Sequence, residues 1–323
     1  MISIIIPCHN IVGYLEACLN SCLLQTHKNI EIIVLNDGSE DETEEIINHY
    51  ALLDKRIVPI HKHNEGVAKT RQIGVEKASG EYIFFLDGDD YLPLNAIEIL
   101  ANEMSNSNAD MVIGQGLEEI KIGYDIVKTV NNEQLTGRQL INKILTDRFF
   151  GIWGILYKRS LFDEQINFHC DLKNGEDAVL LMQLANKSKL VQCTNKIIYF
   201  YRNRKTSVTK EPTDQNFLDS IKCRFMVENY AIDYGFNKDK DFELGSFVCA
   251  SLTFMILNKN FNKIDESTKI LIKEKIRNYL LSNPDFRSFY SKNFHKNYSR
   301  LFFFYHFPFI NESMFQKIYK ILF

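Results

Sequence analysis

Tyr82-Ile83-Phe84-Phe85-Leu86-Asp87-Gly88-Asp89-Asp90 is a run of five apolar and aromatic residues that leads straight into a carboxylate-rich turn. A short run of this kind without helical spacing reads as a buried strand. The same pattern recurs upstream. Ser3-Ile4-Ile5-Ile6 reads as a strand stopped by Pro7, and Glu31-Ile32-Ile33-Val34-Leu35 as a second, ending in the turn Asn36-Asp37-Gly38-Ser39. Ile57-Val58-Pro59-Ile60 is a third, shorter one. Between them lie helical patterns: Tyr14 to Leu24, an acid-rich helix opened by Asp41, and Val67 to Lys77. Strand and helix in alternation predict a mostly parallel α/β sheet with flanking helices, of the Rossmann-like kind. In such sheets ligands bind beyond the carboxyl ends of the strands. The polar clusters Cys8-His9-Asn10, Asn36 to Asp41 and Asp87 to Asp90 all fall there.

Further along, residues 115 to 150 are less periodic and read as an insertion. Ile152 to Tyr157 reads as a strand, Asp177 to Lys187 as a helix and Lys196 to Tyr201 as an edge strand. From about Thr213 the pattern is helical, so a boundary is expected there, with one domain over 1–213 and a helical region over 214–323.

Composition narrows the class. The 323 residues are 45% hydrophobic and 24% charged, ordinary for a globular chain able to bury a core. A net charge of −3 gives no global signal for nucleic acid. The charge is uneven: residues 251–323 carry 12 Lys/Arg against 5 Asp/Glu. The seven cysteines show no zinc-type spacing and read as free thiols in a reducing compartment. The opening Met1-Ile2-Ser3 has no basic stretch or cleavage site before its apolar run, and no segment reaches the roughly 18 apolar residues of a membrane span. A cytoplasmic protein is expected.

The polar clusters carry the chemistry. Asp87 and Asp89 can hold a divalent cation and a diphosphate together, since Mg²⁺ and Mn²⁺ prefer oxygen ligands. Gly88 between them allows close backbone approach; the plainer alternative is an acidic turn before a helix. Asp37 can accept a base N–H or hold a ribose hydroxyl, or simply shape a turn. Arg71 can steady an acidic loop or the donor, or sit on a solvated helix face. Glu176-Asp177 at a helix start can supply a base, or only cap the helix. Tyr201-Arg202-Asn203-Arg204-Lys205-Thr206-Ser207 is a basic, hydroxyl-bearing loop suited to a diphosphate. No Gly-X-Gly-X-X-Gly follows the first strand and no phosphate loop of the Walker type occurs, which argues against nicotinamide enzymes and NTPases.

Taken in order, these segments resemble the family-2 glycosyltransferases with the GT-A fold. Ser3 to Asn10, Asn36 to Asp41, Asn64-Glu65-Gly66 with Ala68 and Arg71, and Phe85 to Asp90 carry the first part. Trp153 to Arg159, Gly175-Glu176-Asp177, and Tyr201 to Arg204 with Ser207 carry the rest. The resemblance covers about the first two-thirds of the chain. It implies a donor pocket drawn from Pro7, His9, Asn10, Asp37, Asn64, Gly66, Arg71, Asp87, Gly88, Trp153, Arg204 and Ser207. Within it Asp37 meets the uracil base, Asp87 the ribose or sugar, and Arg204 and Ser207 the diphosphate. Asp89 would hold Mn²⁺ or Mg²⁺; Asp177, supported by Glu176, would be the catalytic base. The implied reaction is inverting transfer from a UDP-sugar to a glycan, lipid-linked oligosaccharide or glycoprotein hydroxyl, in bacterial surface-polysaccharide synthesis. A nucleotidyltransferase and a non-catalytic accessory subunit with the same fold are the alternatives. The first usually has a Gly-rich basic loop where Cys8-His9-Asn10 stands. The second would lack the carboxylates that are present.

The C-terminal third lies outside the resemblance. Residues 284–323 hold 14 of the chain's 40 aromatics, interleaved with Lys and Arg. Such a segment suits peripheral contact with the inner face of the plasma membrane, or a helical subdomain or homo-oligomer contact with the aromatics as core.

Overall fold

A computed structural model of the chain describes residues 1–120, 123–128, 131–147, 151–203 and 214–236, with 266–267, 269–270 and 274. The chain divides into two compact units, 1–141 with 149–211, and 142–148 with 212–323. In the first unit β1 (Ile2–Cys8), α1 (Val12–Leu23), β2 (Ile30–Asp37), α2 (Thr43–Leu53), β3 (Ile57–Lys62), α3 (Val67–Lys77) and β4 (Tyr82–Phe85) alternate. Then come α4 (Ala96–Ser107), β5 (Met111–Glu119), β6 (Tyr124–Lys128), β7 (Gln134–Leu135), α5 (Gly137–Asp147, of which 142–147 fall in the second unit), β8 (Ile155–Lys158), α6 (Glu176–Lys187) and β9 (Val191–Tyr201). The second unit contains α7 (Asp214–Asp233), a helix of 20 residues. No helix among the described residues is long and apolar enough to cross a membrane.

The strands form one sheet in the order β3-β2-β1-β4-β8-β5-β9-β7, with β6 paired to β5. β3, β2, β1 and β4 are parallel. β8 runs antiparallel between β4 and β5, and β9 is parallel to β5. The α/β class with flanking helices is as read from the sequence, although the sheet is mixed beyond β4. β1 is almost wholly apolar because alternate residues face opposite layers and both faces are covered. Ile2, Ile4 and Ile6 pack in one core with Leu15 and Leu19 of α1, Ile47 of α2 and Leu100 of α4. Ile5 faces the opposite layer, where α3 comes so close that a Cβ on Gly74 would lie 2.4 Å from Ile5 Cγ2.

Four local expectations need correction. Pro7 does not stop β1, since it pairs with Leu35 of β2. Leu86 N–H donates to the Ile5 carbonyl, so alternate residues of β1, Pro7 among them, face β4. The N–H that proline lacks is the one that would carry the β1–β4 ladder past Phe85. Pro7 therefore ends that ladder and frees the chain from Asp87 onward. The insertion expected over 115–150 does not begin at 115: β5 runs from Met111 to Glu119 between β8 and β9. Its register shifts near Gln115 and Gly116 interrupt the alternation that marks a strand. The strand expected from Ile152 starts at Ile155, after a turn. The strand expected from Lys196 starts earlier, at Val191, where β7 pairs with it; over 196–201 its partner strand is β5. The six described cysteines are free thiols, five of them buried; Cys249 lies outside the described residues.

Candidate active site

β1, β2 and β4 are parallel neighbours, so the loops that follow them leave the sheet at one edge. There they are fastened together. Asn10, at φ +51°, donates its N–H to Ser39 Oγ (3.0 Å) and accepts from Glu40 N–H (2.8 Å). Asp41 accepts from Val12 N–H at 3.1 Å, tying α1 to the loop before α2. The His9 ring lies 3.0 Å, through Nδ1, from the Asp37 carbonyl, and Asn64 Nδ2 lies 3.2 Å from its Nε2. Gly88 fits against the end of β1: a Cβ there would lie 2.4 Å from Ile11 Cδ1 and 3.1 Å from both Cys8 Sγ and Pro7 O. Its small size thus serves the approach of β4's loop to β1.

Asp37 is buried, 4% exposed, and its carboxylate is occupied within the protein. It accepts N–H bonds from Glu65 and Gly66 (2.9 Å each) and pairs with Lys62. Burial works against its charge, yet these donors outweigh it and hold the carboxyl below its ordinary value. Asp37 therefore latches the loop that carries Asn64 and Gly66 into α3.

Arg71, 4% exposed on α3, is the hub of the site. Its Nη1 donates to Asp177 Oδ1 at 2.7 Å and to Glu176 Oε1 at 3.0 Å; its Nη2 donates to Asp87 Oδ1 at 2.8 Å. Nε is buried without a hydrogen-bond partner. The three carboxylates hold the guanidinium in its charged form against the cost of burial. Glu176 and Asp177 open α6 after Gly175, so their charges also meet the helix's positive end. Burial raises the Asp177 carboxyl well above the usual range; Arg71 lowers it, and Glu176 and Asp87 raise it again.

The acidic turn itself is braced from β9. The Tyr199 hydroxyl donates to Asp90 Oδ2 at 2.7 Å and accepts the Asp87 N–H at 3.2 Å. Arg202 N–H donates to Asp90 Oδ1 at 2.7 Å. Burial, then the Asp89 and Asp87 charges, push the Asp90 carboxyl up to about 8. Trp153 packs behind Tyr199, ring centroids 4.8 Å apart. Arg202 lies over the rings of Tyr14 and Tyr91, 5.4 and 5.0 Å from their centroids.

The family model for glycosyl transferase family 2 matches residues 3–165. The chain belongs to glycosyl transferase family 2. EpsJ of Bacillus subtilis, an uncharacterized glycosyltransferase, is 30% identical over 294 residues, covering 87% of this glycosyltransferase and 83% of EpsJ. Glycosyltransferase GlyA of Streptococcus pneumoniae is 34% identical over 230 residues, 66% of this chain, and the chain spans only 32% of GlyA. Residues 1–349 of S. aureus TarS, solved with UDP-GlcNAc, superpose with a TM-score of 0.68 at 18% identity, covering 88% of this chain and 82% of that one. At that identity the likeness is one of fold.

In this family-2 glycosyltransferase the structure brings together Pro7, His9, Asn10, Asp37, Asn64 and Gly66 around the ends of β1 and β2. Arg71, Asp87, Glu176 and Asp177 form one ion network beside Gly88. Trp153 stands behind Tyr199. Arg204 and Ser207 lie outside the described residues, as does 284–323. Sequence reading missed Lys62 and Tyr199 as parts of the site, placed Arg202 only in a diphosphate-binding loop, and named Asp90 only within the acidic turn. Asp90 was visible as the extra carboxylate after Asp87-Gly88-Asp89. Tyr199 carried no signal, because alternation does not say which tyrosine of Ile198-Tyr199-Phe200-Tyr201 points toward the turn.

Proposed function

We propose that this glycosyltransferase moves a sugar from a UDP-sugar to a hydroxyl of a glycan, lipid-linked oligosaccharide or glycoprotein, with inversion, in bacterial cell-surface polysaccharide synthesis. Residues 1–213 act as the catalytic domain in the cytoplasm, and 214–323 as a region associated with the acceptor or the membrane. The observation that carries this reading is the Arg71 hub, which fixes the Asp87 turn and the Asp177 carboxylate beside each other. UDP as the donor's nucleotide is supported by the TarS structures, which contain UDP and UDP-GlcNAc.

The donor set suits a divalent cation. Among the described residues no group of three His, Cys, Asp or Glu forms a ready-made cage. Burial, and after it the Asp89 and Asp87 charges, raise both the Asp90 carboxyl and the Cys8 thiol. An excess of negative charge with few protein ligands matches Mg²⁺ or Mn²⁺ that takes its remaining oxygens from a diphosphate and water. Asp89 would hold the ion, which when bound supplies charge neutralisation for the leaving diphosphate.

The chain's own residues do the rest. The loop latched by Asp37 shapes the nucleotide pocket. Asp87, held by Arg71, faces the ribose or sugar. The acceptor oxygen bonds to the anomeric carbon as the bond from that carbon to the diphosphate oxygen breaks, and UDP leaves with the electron pair. Asp177 takes the acceptor hydroxyl's proton, a task suited to a carboxylate raised above its ordinary range. The test is release of UDP from a panel of UDP-sugars with Mn²⁺. Wild type should release UDP and Asp177→Asn should not; equal release by both would remove Asp177 from the mechanism.

A further inference from the structure

We infer that Tyr199 and Asp90 are positioning residues that set the Asp87–Asp89 turn in its donor-binding geometry before any ligand arrives. The inference rests on the donor-site reading above and extends it to residues that touch neither donor nor acceptor.

The turn leaves β4 where the ladder with β1 has ended, at Leu86, and only one carbonyl–amide bond, Asp90 N–H to Asp87 O at 3.0 Å, closes it from within. A turn held by one internal bond and carrying three carboxylates has reason to open, because the charges repel. Besides the Arg202 N–H bond to Asp90, three attachments oppose this. Arg71 binds the Asp87 side chain at 2.8 Å. Tyr91 and Phe200 exchange both backbone hydrogen bonds, 3.2 and 2.9 Å, which anchors the far end of the turn on β9, although β8 and β5 separate β4 from β9 in the sheet. The third is the Tyr199 hydroxyl, the only one of the three that joins the first residue of the turn to its last. It accepts the Asp87 N–H and donates to Asp90 Oδ2.

A backbone N–H can only donate, so the phenol oxygen accepts from Asp87 and its one proton is left for Asp90. The other Asp90 oxygen accepts from Arg202 N–H. Both Asp90 oxygens are thereby drawn into the protein, away from the role of a cation ligand. Tyr199 is fully buried with its ring against Trp153, so the hydroxyl has little freedom to swing away. Its removal leaves the Asp87 N–H and an Asp90 oxygen short of a partner in a place that water hardly reaches.

The test compares Tyr199→Phe and Asp90→Asn with wild type, measuring UDP binding by calorimetry across a Mn²⁺ series and the melting temperature separately. Tyr199→Phe keeps the ring packing and removes one oxygen. It should need about tenfold or more Mn²⁺ to reach half-maximal UDP affinity, and excess Mn²⁺ should restore most of that affinity. Asp90→Asn keeps an acceptor for Arg202 N–H but cannot accept the phenol proton through its NH₂ group, and should shift the Mn²⁺ requirement in the same direction by less. A lower melting temperature with an unchanged Mn²⁺ midpoint in folded Tyr199→Phe would reduce the pair to a structural contact and overturn the inference. Failure of wild type itself to bind UDP with Mn²⁺ would instead strike the donor-site reading on which the inference stands.

Discussion

Arg71 and Asp177 are 106 residues apart in the chain, yet their side chains meet at 2.7 Å. The same guanidinium reaches Asp87 at 2.8 Å, so one helix of the parallel half of the sheet holds both the acidic turn and the proposed base. Truncating Arg71 leaves these carboxylates without their cation. Arg71→Ala should cost about 3–5 kcal/mol of stability and abolish transfer. Arg71→Lys keeps the charge but not the planar fork, and should fold while losing most activity. Chemical denaturation and a transfer assay on the two variants check both statements.

Asp177 should act on kcat rather than on donor affinity. Asp177→Asn is expected to lower kcat by about 10²–10⁴-fold with little change in UDP binding. The base must be ionised, and its carboxyl lies well above the ordinary carboxylate range because of burial and the Glu176 and Asp87 charges, despite Arg71. Activity should therefore rise with pH through a limb displaced upward from that range. A pH–rate profile of wild type shows that limb, and any residual rate of Asp177→Asn should lack it.

Asp37 gives a pH effect of opposite sign on stability. Its folded carboxyl titrates below its ordinary value, since Lys62 and two backbone N–H groups outweigh the burial that opposes them. Its contribution is full above the unfolded value and is lost as the pH falls through the folded one. Asp37→Asn should be less stable than wild type by about 1–3 kcal/mol at neutral pH. The gap should close in acid. Paired urea melts at neutral and acidic pH measure it.

Gly88→Ala places a methyl group 2.4 Å from Ile11 Cδ1 and 3.1 Å from the Pro7 carbonyl. The backbone there cannot give way as a flexible side chain would. A loss of about 1–3 kcal/mol is expected, with weaker UDP binding because Asp87 and Asp89 must move with the turn. Thermal melts and UDP titration of the variant check the pair of effects.

Much of the fold was open to reading because apolar runs in β1, β2 and β4 are covered on both faces and end in turn residues. Val67–Lys77 matched helix α3 at both ends. β5 was lost because Gly114-Gln115-Gly116 and its register shifts blur the alternation. In the site, carboxylates at strand ends and at a helix start were visible as types in places. Their pairing was not. That Arg71 serves Asp87 and Asp177, or that Tyr199 serves Asp87 and Asp90, is set by which helix and strand pack beside the turn, a relation between segments that no single segment carries.

The central claim is that the Asp87–Asp89 turn and the loops beside it form a cation-assisted site for a UDP-sugar. Titration calorimetry with UDP, with and without Mn²⁺, on wild type and Asp89→Ala tests it most directly. Binding by wild type that requires Mn²⁺ and disappears in Asp89→Ala is the predicted result. No binding of UDP by wild type in either condition, or binding that neither the ion nor the substitution alters, would contradict it.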